Sequence, residues 1–309
     1  MALCSAVRVS VLWRTAVMAV FAACAGVAQG AFPIVATTAD LKSLAESIGG
    51  DKVHVVALVP PNTDPEEYQP KPQDLARLKS AQMVLRVGLD FDLWLDRLVP
   101  QAGNPAIRRG GPGHVDASFG ITLLDVRGAQ VGPVGGHAHG SGNPHYWLDP
   151  ANAEMITASI FEALVRLDPA NAQHYQRQRM MFLDMLSRRI ESWQRALAPV
   201  QGRPLIAYHN NWSYFARRFR LNIAGYIEPR PGVPPTPAHL AGLIKLAQAQ
   251  QIKAVVRQPH EPQKNAEFVA AKSGAVIVLL AASVGAVPQA RDYVSLFDYN
   301  VAALAAALQ

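Results

Sequence analysis

The sequence predicts an α/β protein of two parallel-sheet lobes joined by one long helix. Three observations carry this. Short β-rich runs alternate with helix-like segments at 34–38, 53–59, 83–88 and 121–126. After Gly202 the same rhythm returns at 205–209, 222–228, 254–258 and 276–281. Between the two sets, no Gly or Pro interrupts the chain from Pro169 to Ala198. Apolar runs separated by helical spacing, as in Leu240, Leu243, Ile244 and Leu246, are the pattern of βαβ units and parallel sheets.

In chain order, the first element is a targeting segment. Arg8 and Arg14 precede an uncharged apolar stretch over 15–30, which closes on the small residues Ala28 and Gly30. That is the layout of a secretory signal peptide, and the run falls short of the ~20 residues that span a bilayer. Residues 1–30 are therefore expected to be removed on export, leaving a net charge of about +4 from the +6 of the whole chain. Phe21-Ala22-Ala23-Cys24 offers an alternative, a lipoprotein cleavage box that would leave a lipid tether on Cys24.

The mature chain divides by pattern into an N-terminal lobe over 31–167, a linking helix over 168–199 and a C-terminal lobe over 200–309. Asp168-Pro169 reads as an N-cap with Pro at the first helical position. Phe182, Leu186, Ile190, Trp193 and Leu197 then mark one apolar helix face. About thirty residues at ~1.5 Å each would reach along both lobes.

Composition excludes several classes of function. Half of the 309 residues are apolar and 17% charged, a globular balance. The 29 basic and 23 acidic side chains form no basic block, so nucleic-acid binding is not indicated. Cys4 and Cys24 are the only cysteines. The body thus has no disulfide scaffold, zinc–thiolate site or cysteine nucleophile. No Walker loop, G-x-S-x-G elbow, G-x-G-x-x-G turn or H-E-x-x-H helix is present.

Three places offer ligand chemistry. His145 lies just ahead of a helix started by Asp149-Pro150. His209 ends the run 205–209, and Asp64-Pro65-Glu66-Glu67 follows the run 53–59. The last two sit past the carboxyl ends of parallel strands, where α/β folds bind ligands. Each also has an ordinary structural use: a packed His, or an N-cap with first-turn acids. The Gly-rich stretch Gly136-His137-Ala138-His139-Gly140 is either a solvated linker or a weak cation site.

Taken together, these parts resemble the zinc/manganese substrate-binding proteins of bacterial ABC importers. The resemblance spans the mature chain from Ile34-Val35-Ala36-Thr37-Thr38 to Asp298-Tyr299-Asn300. It rests on Asp64-Pro65, Leu85-x-x-Gly88-Leu89 with Trp94-Leu95, the His loop, and His209 followed by Trp212 and Phe215. Asn143-Pro144-His145-Tyr146-Trp147-Leu148-Asp149-Pro150 is the most specific piece.

The resemblance implies a metal in the cleft between the lobes, with His145 and His209 as two of its ligands. Two positions depart from the family pattern. Glu66 stands where a His is usual, and Ala281-Ala282-Ser283-Val284-Gly285 lacks the usual carboxylate. Carboxylate oxygen can replace imidazole on zinc. Glu228, ending the run 222–228, is expected to face the cleft and fill the fourth position, with His260, Glu261 or a water as alternatives.

The expected metal set is therefore Glu66, His145, His209 and Glu228, with zinc as the transported ligand and manganese second. The expected function is extracytoplasmic, in the periplasm: capture of the ion and delivery to the ABC permease in the inner membrane. The protein is expected to act as a monomer with no catalytic residues. A degenerate binding protein for a chelated metal or a protein partner, or an exported metallohydrolase, are the rival readings.

Overall fold

The computed structural model describes residues 30–126 and 142–309. The expected leader over 1–30 and the His137/His139 loop fall outside the described residues, save Gly30. Strands β1 (Phe32–Ala36), β2 (Val53–Ala57), β3 (Met83–Arg86) and β4 (His114–Asp116) form one sheet in the order β2-β1-β3-β4. Strands β5 (Pro204–Ala207), β6 (Asn222–Tyr226), β7 (Ala254–Arg257) and β8 (Val276–Leu279) form the second in the order β6-β5-β7-β8. Every pairing in both sheets is parallel. This is the two-lobe α/β architecture the sequence predicts.

Each sheet is covered on both faces, as parallel sheets must be. Alternate residues of β1 and β3 point to opposite sides. Ile34, Ala36 and Leu85 join the large central core with Leu41 and Leu44 of helix α1 (Ala39–Gly49). Val35 and Val84 meet Leu78 of α2 (Pro72–Ser80) and Leu95 and Leu98 of α3 (Trp94–Ala102). The second sheet repeats this: Leu205, Ala207 and Val256 face the same central core. Ile206 and Val255 face an outer layer. The central core is therefore continuous from one lobe to the other.

The chain then runs through α4 (Ala153–Leu167) to α5 (Ala172–Leu197), the long helix the sequence predicts. Its 26 residues span about 39 Å. Tyr175, Phe182, Leu186, Trp193 and Leu197 are buried along one face. The helix packs on α1 and α4 of the first lobe and on α9 (Tyr293–Leu308) of the second. Trp193 stacks on Phe297 with ring centroids 5.1 Å apart, and its indole N–H donates to Asp298. The helix starts differently from expectation. A 3₁₀ turn over Pro169–Asn171 comes first, and Asp168 caps no backbone amide with its side chain. Its carboxylate instead accepts from the Tyr175 hydroxyl and from Asn171 Nδ2.

One expected strand is absent. The run 121–126 is irregular, and the fourth strand of the first sheet is the shorter β4, paired Val84 to His114. With that edge of β3 taken, Leu124 bonds elsewhere. Its N–H donates to the hydroxyl of Tyr214, on α6 (Ser213–Phe219) of the second lobe, and its carbonyl accepts from Asn143 N–H. Asp125 has a left-handed backbone, φ 50°, which no strand continues through.

The remaining helices, α7 (Pro237–Ala249) and α8 (Gln263–Ser273), flank the second sheet. Among the described residues, no helix is long and apolar enough to cross a membrane.

Candidate metal centre

Both sheets present the carboxyl ends of their strands to one cleft of about 600 Å³. Its wall includes Asp40, Glu66, His145, Trp147, His209, Asn211, Glu228, His260, Glu261 and Ala282. The loops at its rim meet closely. Gly285 has φ +81°, and a Cβ there would lie 2.8 Å from Pro61 of the opposite loop. Glycine satisfies both demands at once.

Glu66 leaves the loop after β2. Asp64 accepts the Glu66 amide at 2.9 Å, closing a turn on itself rather than capping a helix. The indole N–H of Trp94 holds the Pro65 carbonyl at 3.1 Å. This turn sends Glu66 inward and leaves Glu67 exposed. His145 sits in the buried Asn143–Trp147 segment, edge-on to Phe91 at 5.4 Å. Trp147 anchors the segment by donating to the Ala282 carbonyl at 2.8 Å, on the far side of the cleft. His209 follows β5 and faces His145 with ring centroids 5.6 Å apart.

The three side chains converge. His145 Nε2 lies 3.5 Å from Glu66 Oε1, and His209 Nε2 lies 3.8 Å from the same oxygen. One donor atom from each falls within 4.8 Å of the other two. Donors ~2.1 Å from a tetrahedral zinc stand about 3.4 Å from one another. The spacing thus suits a metal ion, with donors drawn from two lobes.

The second ring nitrogen of each histidine is also committed. His145 Nδ1 lies 2.9 Å from Asn143 Oδ1, so it carries the proton and donates. Asn143 is fixed in turn, its Nδ2 donating to Asp125 and to the Asn210 carbonyl. His209 Nδ1 lies 2.5 Å from Glu228 Oε2. Both Nε2 atoms face Glu66. Carboxylates and amides that orient ligating imidazoles this way are common around bound metals.

Glu228 reaches the cleft, behind the His209 ring and outside the converging trio. Its other oxygen accepts the Gly232 amide at 2.9 Å. Glu261 is folded onto Gln258, accepting from both its backbone and side-chain nitrogens at 2.6 and 3.0 Å. His260 lines the cleft, and burial lowers its pKa. The Ala281–Gly285 turn brings no carboxylate; instead it is held by one. Asp40 Oδ2 accepts from Ser283 Oγ at 2.7 Å and Oδ1 from Val284 N–H at 2.9 Å. Burial nevertheless pushes Asp40 up to about 6.

Electrostatics mark Glu66 and His209 as proton holders when no ion is bound. Burial drives Glu66 up to about 7, offset in part by His209 and reinforced by Asp64, Glu228 and Glu67. Burial would lower His209, but the Glu228 hydrogen bond and the charges of Glu66 and Glu228 carry it up to about 9. Asn143 lies inside the most specific motif, and its place two residues before a candidate His, ahead of a Pro, is the sequence signal of its contact with His145. Asp40 had none, since its partners lie 243 and 244 residues away.

A two-lobe α/β fold with a two-histidine, one-carboxylate cleft defines a class of metal-binding solute carriers. The chain belongs to the family described as zinc-uptake complex component A, periplasmic, whose model matches residues 34–307. It is similar to the iron-binding protein YfeA of Yersinia pestis, 27% identical over 286 residues, 89% of this chain and 85% of that one. It is also similar to the manganese ABC transporter substrate-binding lipoprotein PsaA of Streptococcus pneumoniae, 23% identical over 69% of this chain and 67% of that one. A crystal structure of ZnuA superposes with a TM-score of 0.77 at 29% identity, covering 90% of this chain and all of the other. Members of this family bind metal for ABC transport and are not enzymes. Zinc, manganese and iron all appear among these names.

Proposed function

We propose that this protein captures a divalent transition-metal ion in the periplasm, zinc first and manganese second, and delivers it to an ABC permease in the inner membrane. Glu66, His145 and His209 are the ligands, and Glu228 orients His209. The observation that supports this most is the convergence of three donors at 3.5 and 3.8 Å on a shared carboxylate oxygen. Two imidazoles favour zinc over the all-oxygen sites that suit harder ions. The leader at 1–30 supports export, and intact mass of the exported protein tests it. A start near Ala31 is expected, and a diacylated Cys24 start would replace release with tethering.

The binding reading is tested on protein purified without added metal, then titrated with zinc and manganese. About one zinc per chain and a zinc-dependent rise in melting temperature are expected. A bound ion at a hundredfold excess over Kd stabilises the folded form by about 2.7 kcal/mol. Absence of any metal-dependent shift would sink the reading.

A further inference from the structure

We propose that Asn211 is a positioning residue for the cargo, holding a water molecule bound to the metal at the coordination position that Ala281-Ala282 leaves without a side-chain donor. This rests on the three-ligand metal reading above.

Asn211 lies two residues past His209 and is 1% exposed. It lines the same cleft as His145, His209, Trp147 and Ala282. Neither its Oδ1 nor its Nδ2 has a hydrogen-bond partner among the described residues. Its neighbour behaves differently: Asn210 Nδ2 donates toward Asp125, and its Oδ1 accepts from Ser213 Oγ at 2.9 Å. A buried carboxamide with both ends unpaired is costly to the empty protein. Such groups in native proteins point to a strained or functional site, or to an ion or water they serve.

The chemistry of the missing partner follows from the amide. Nδ2 donates and Oδ1 accepts. A metal-bound water, polarised by the ion, donates a hydrogen to Oδ1, and Nδ2 is left for a second water of the cleft. A carboxylate accepts only, and would leave Oδ1 unpaired. Glu66, His145 and His209 supply three ligands, one fewer than a tetrahedral zinc takes. Trp147 and the Asn300 side chain pin the Ala281–Ala282 backbone, which closes that side of the cleft without supplying a side-chain donor.

The test uses the mature protein, zinc, and the variants Asn211→Ala and Asn211→Leu. Both variants are expected to bind zinc about tenfold more weakly or worse, the range seen when outer-shell partners are removed. Their metal-free melting temperatures are expected to stay level or rise, because an unpaired buried amide is gone. A residue that mattered only for folding would move melting and affinity down together, and that pattern overturns the proposal. X-ray absorption of zinc-loaded wild type needs no variant. It should show two imidazoles, one carboxylate and one further oxygen. If wild type binds zinc and both variants bind it equally well, Asn211 has no such role. An affinity that grows with added acetate or citrate would replace the water by a small carboxylate and overturn the assignment. Failure of wild type to bind any metal instead removes the three-ligand reading beneath it.

Discussion

Glu228 accepts the Nδ1 proton of His209 at 2.5 Å, from the side of the ring opposite Glu66. The bond fixes the tautomer that turns Nε2 into the cleft, and the carboxylate makes the imidazole a stronger donor. Glu228→Ala is therefore expected to weaken zinc binding about ten- to a hundredfold. Glu228→Gln, which keeps an acceptor but drops the charge, should fall between that variant and wild type. Competition against a fluorescent chelator gives the ranking; an unaffected Glu228→Ala would remove its orienting role.

Glu66→Ala should abolish most of the zinc-dependent rise in melting temperature, because Glu66 supplies the oxygen both histidines face. Glu66→His restores an imidazole and should hold or tighten zinc. Glu67, exposed beside it, should tolerate alanine. His145→Ala and His209→Ala are expected to be at least as damaging as Glu66→Ala. Loss of the shift in Glu67→Ala alone would refute the assignment.

Protons and metal compete for the same atoms. With His209 lifted to about 9, the empty site carries its proton at pH 7, and zinc must displace it. Affinity should rise about tenfold per pH unit between 7 and 9 from this group. Glu66, near 7, adds a second proton below neutrality. The empty protein runs the other way. A histidine raised above 6.5 stabilises the fold fully below that pH and loses its contribution as pH climbs through 9. A carboxyl raised from 4.5 to about 7 likewise costs stability as pH rises through that window. From these two groups, metal-free stability should fall with pH while zinc affinity grows. Calorimetric titration in buffers of differing ionisation heat would count the protons; pH-independent affinity would contradict the ligand set.

Deleting 135–140 should change affinity less than tenfold. The ends of that loop are joined without it: Asn143 N–H donates to the Leu124 carbonyl at 2.7 Å, and Asn143 Nδ2 to Asp125 at 2.9 Å. Ordering a Gly-rich loop would add an entropic cost to any site it closed. Equilibrium titration of the deletion variant decides it, and a larger loss would place His137 or His139 in the primary site.

What the sequence made legible follows the reach of its signals. Seven strands and the long helix lie where hydrophobic spacing puts them, because that spacing records burial directly. Strand β4 was hidden because three residues with one buried side chain leave almost no pattern. The more apolar run 121–126 drew the expectation instead, although it serves the contact between lobes. His145, His209 and Glu66 stand out in the sequence as residue types past strand ends or in a specific motif, and the fold brings them together. The contact of Glu228 with the far nitrogen of His209 has no sequence signal, since ring geometry alone separates the two nitrogens. Asn211 has no sequence signal: an Asn after a strand is ordinary, and only its burial with no hydrogen-bond partner among the described residues sets it apart.

The two sheets share one wiring, β2-β1-β3-β4 matching β6-β5-β7-β8 position for position. Glu66 follows the second strand of its sheet and Glu228 the corresponding strand of the other. The His209 ring thus lies between equivalent turns of the two halves, one on each nitrogen. Glu228 shares the half that carries His209, whereas Glu66 and His145 belong to the opposite half. Parting the halves leaves the His209–Glu228 pair whole and separates one imidazole from the other two donors. On the proposed metal reading, a modest separation turns a three-point grip into two weaker ones, and the ion is let go without any ligand having to unfold.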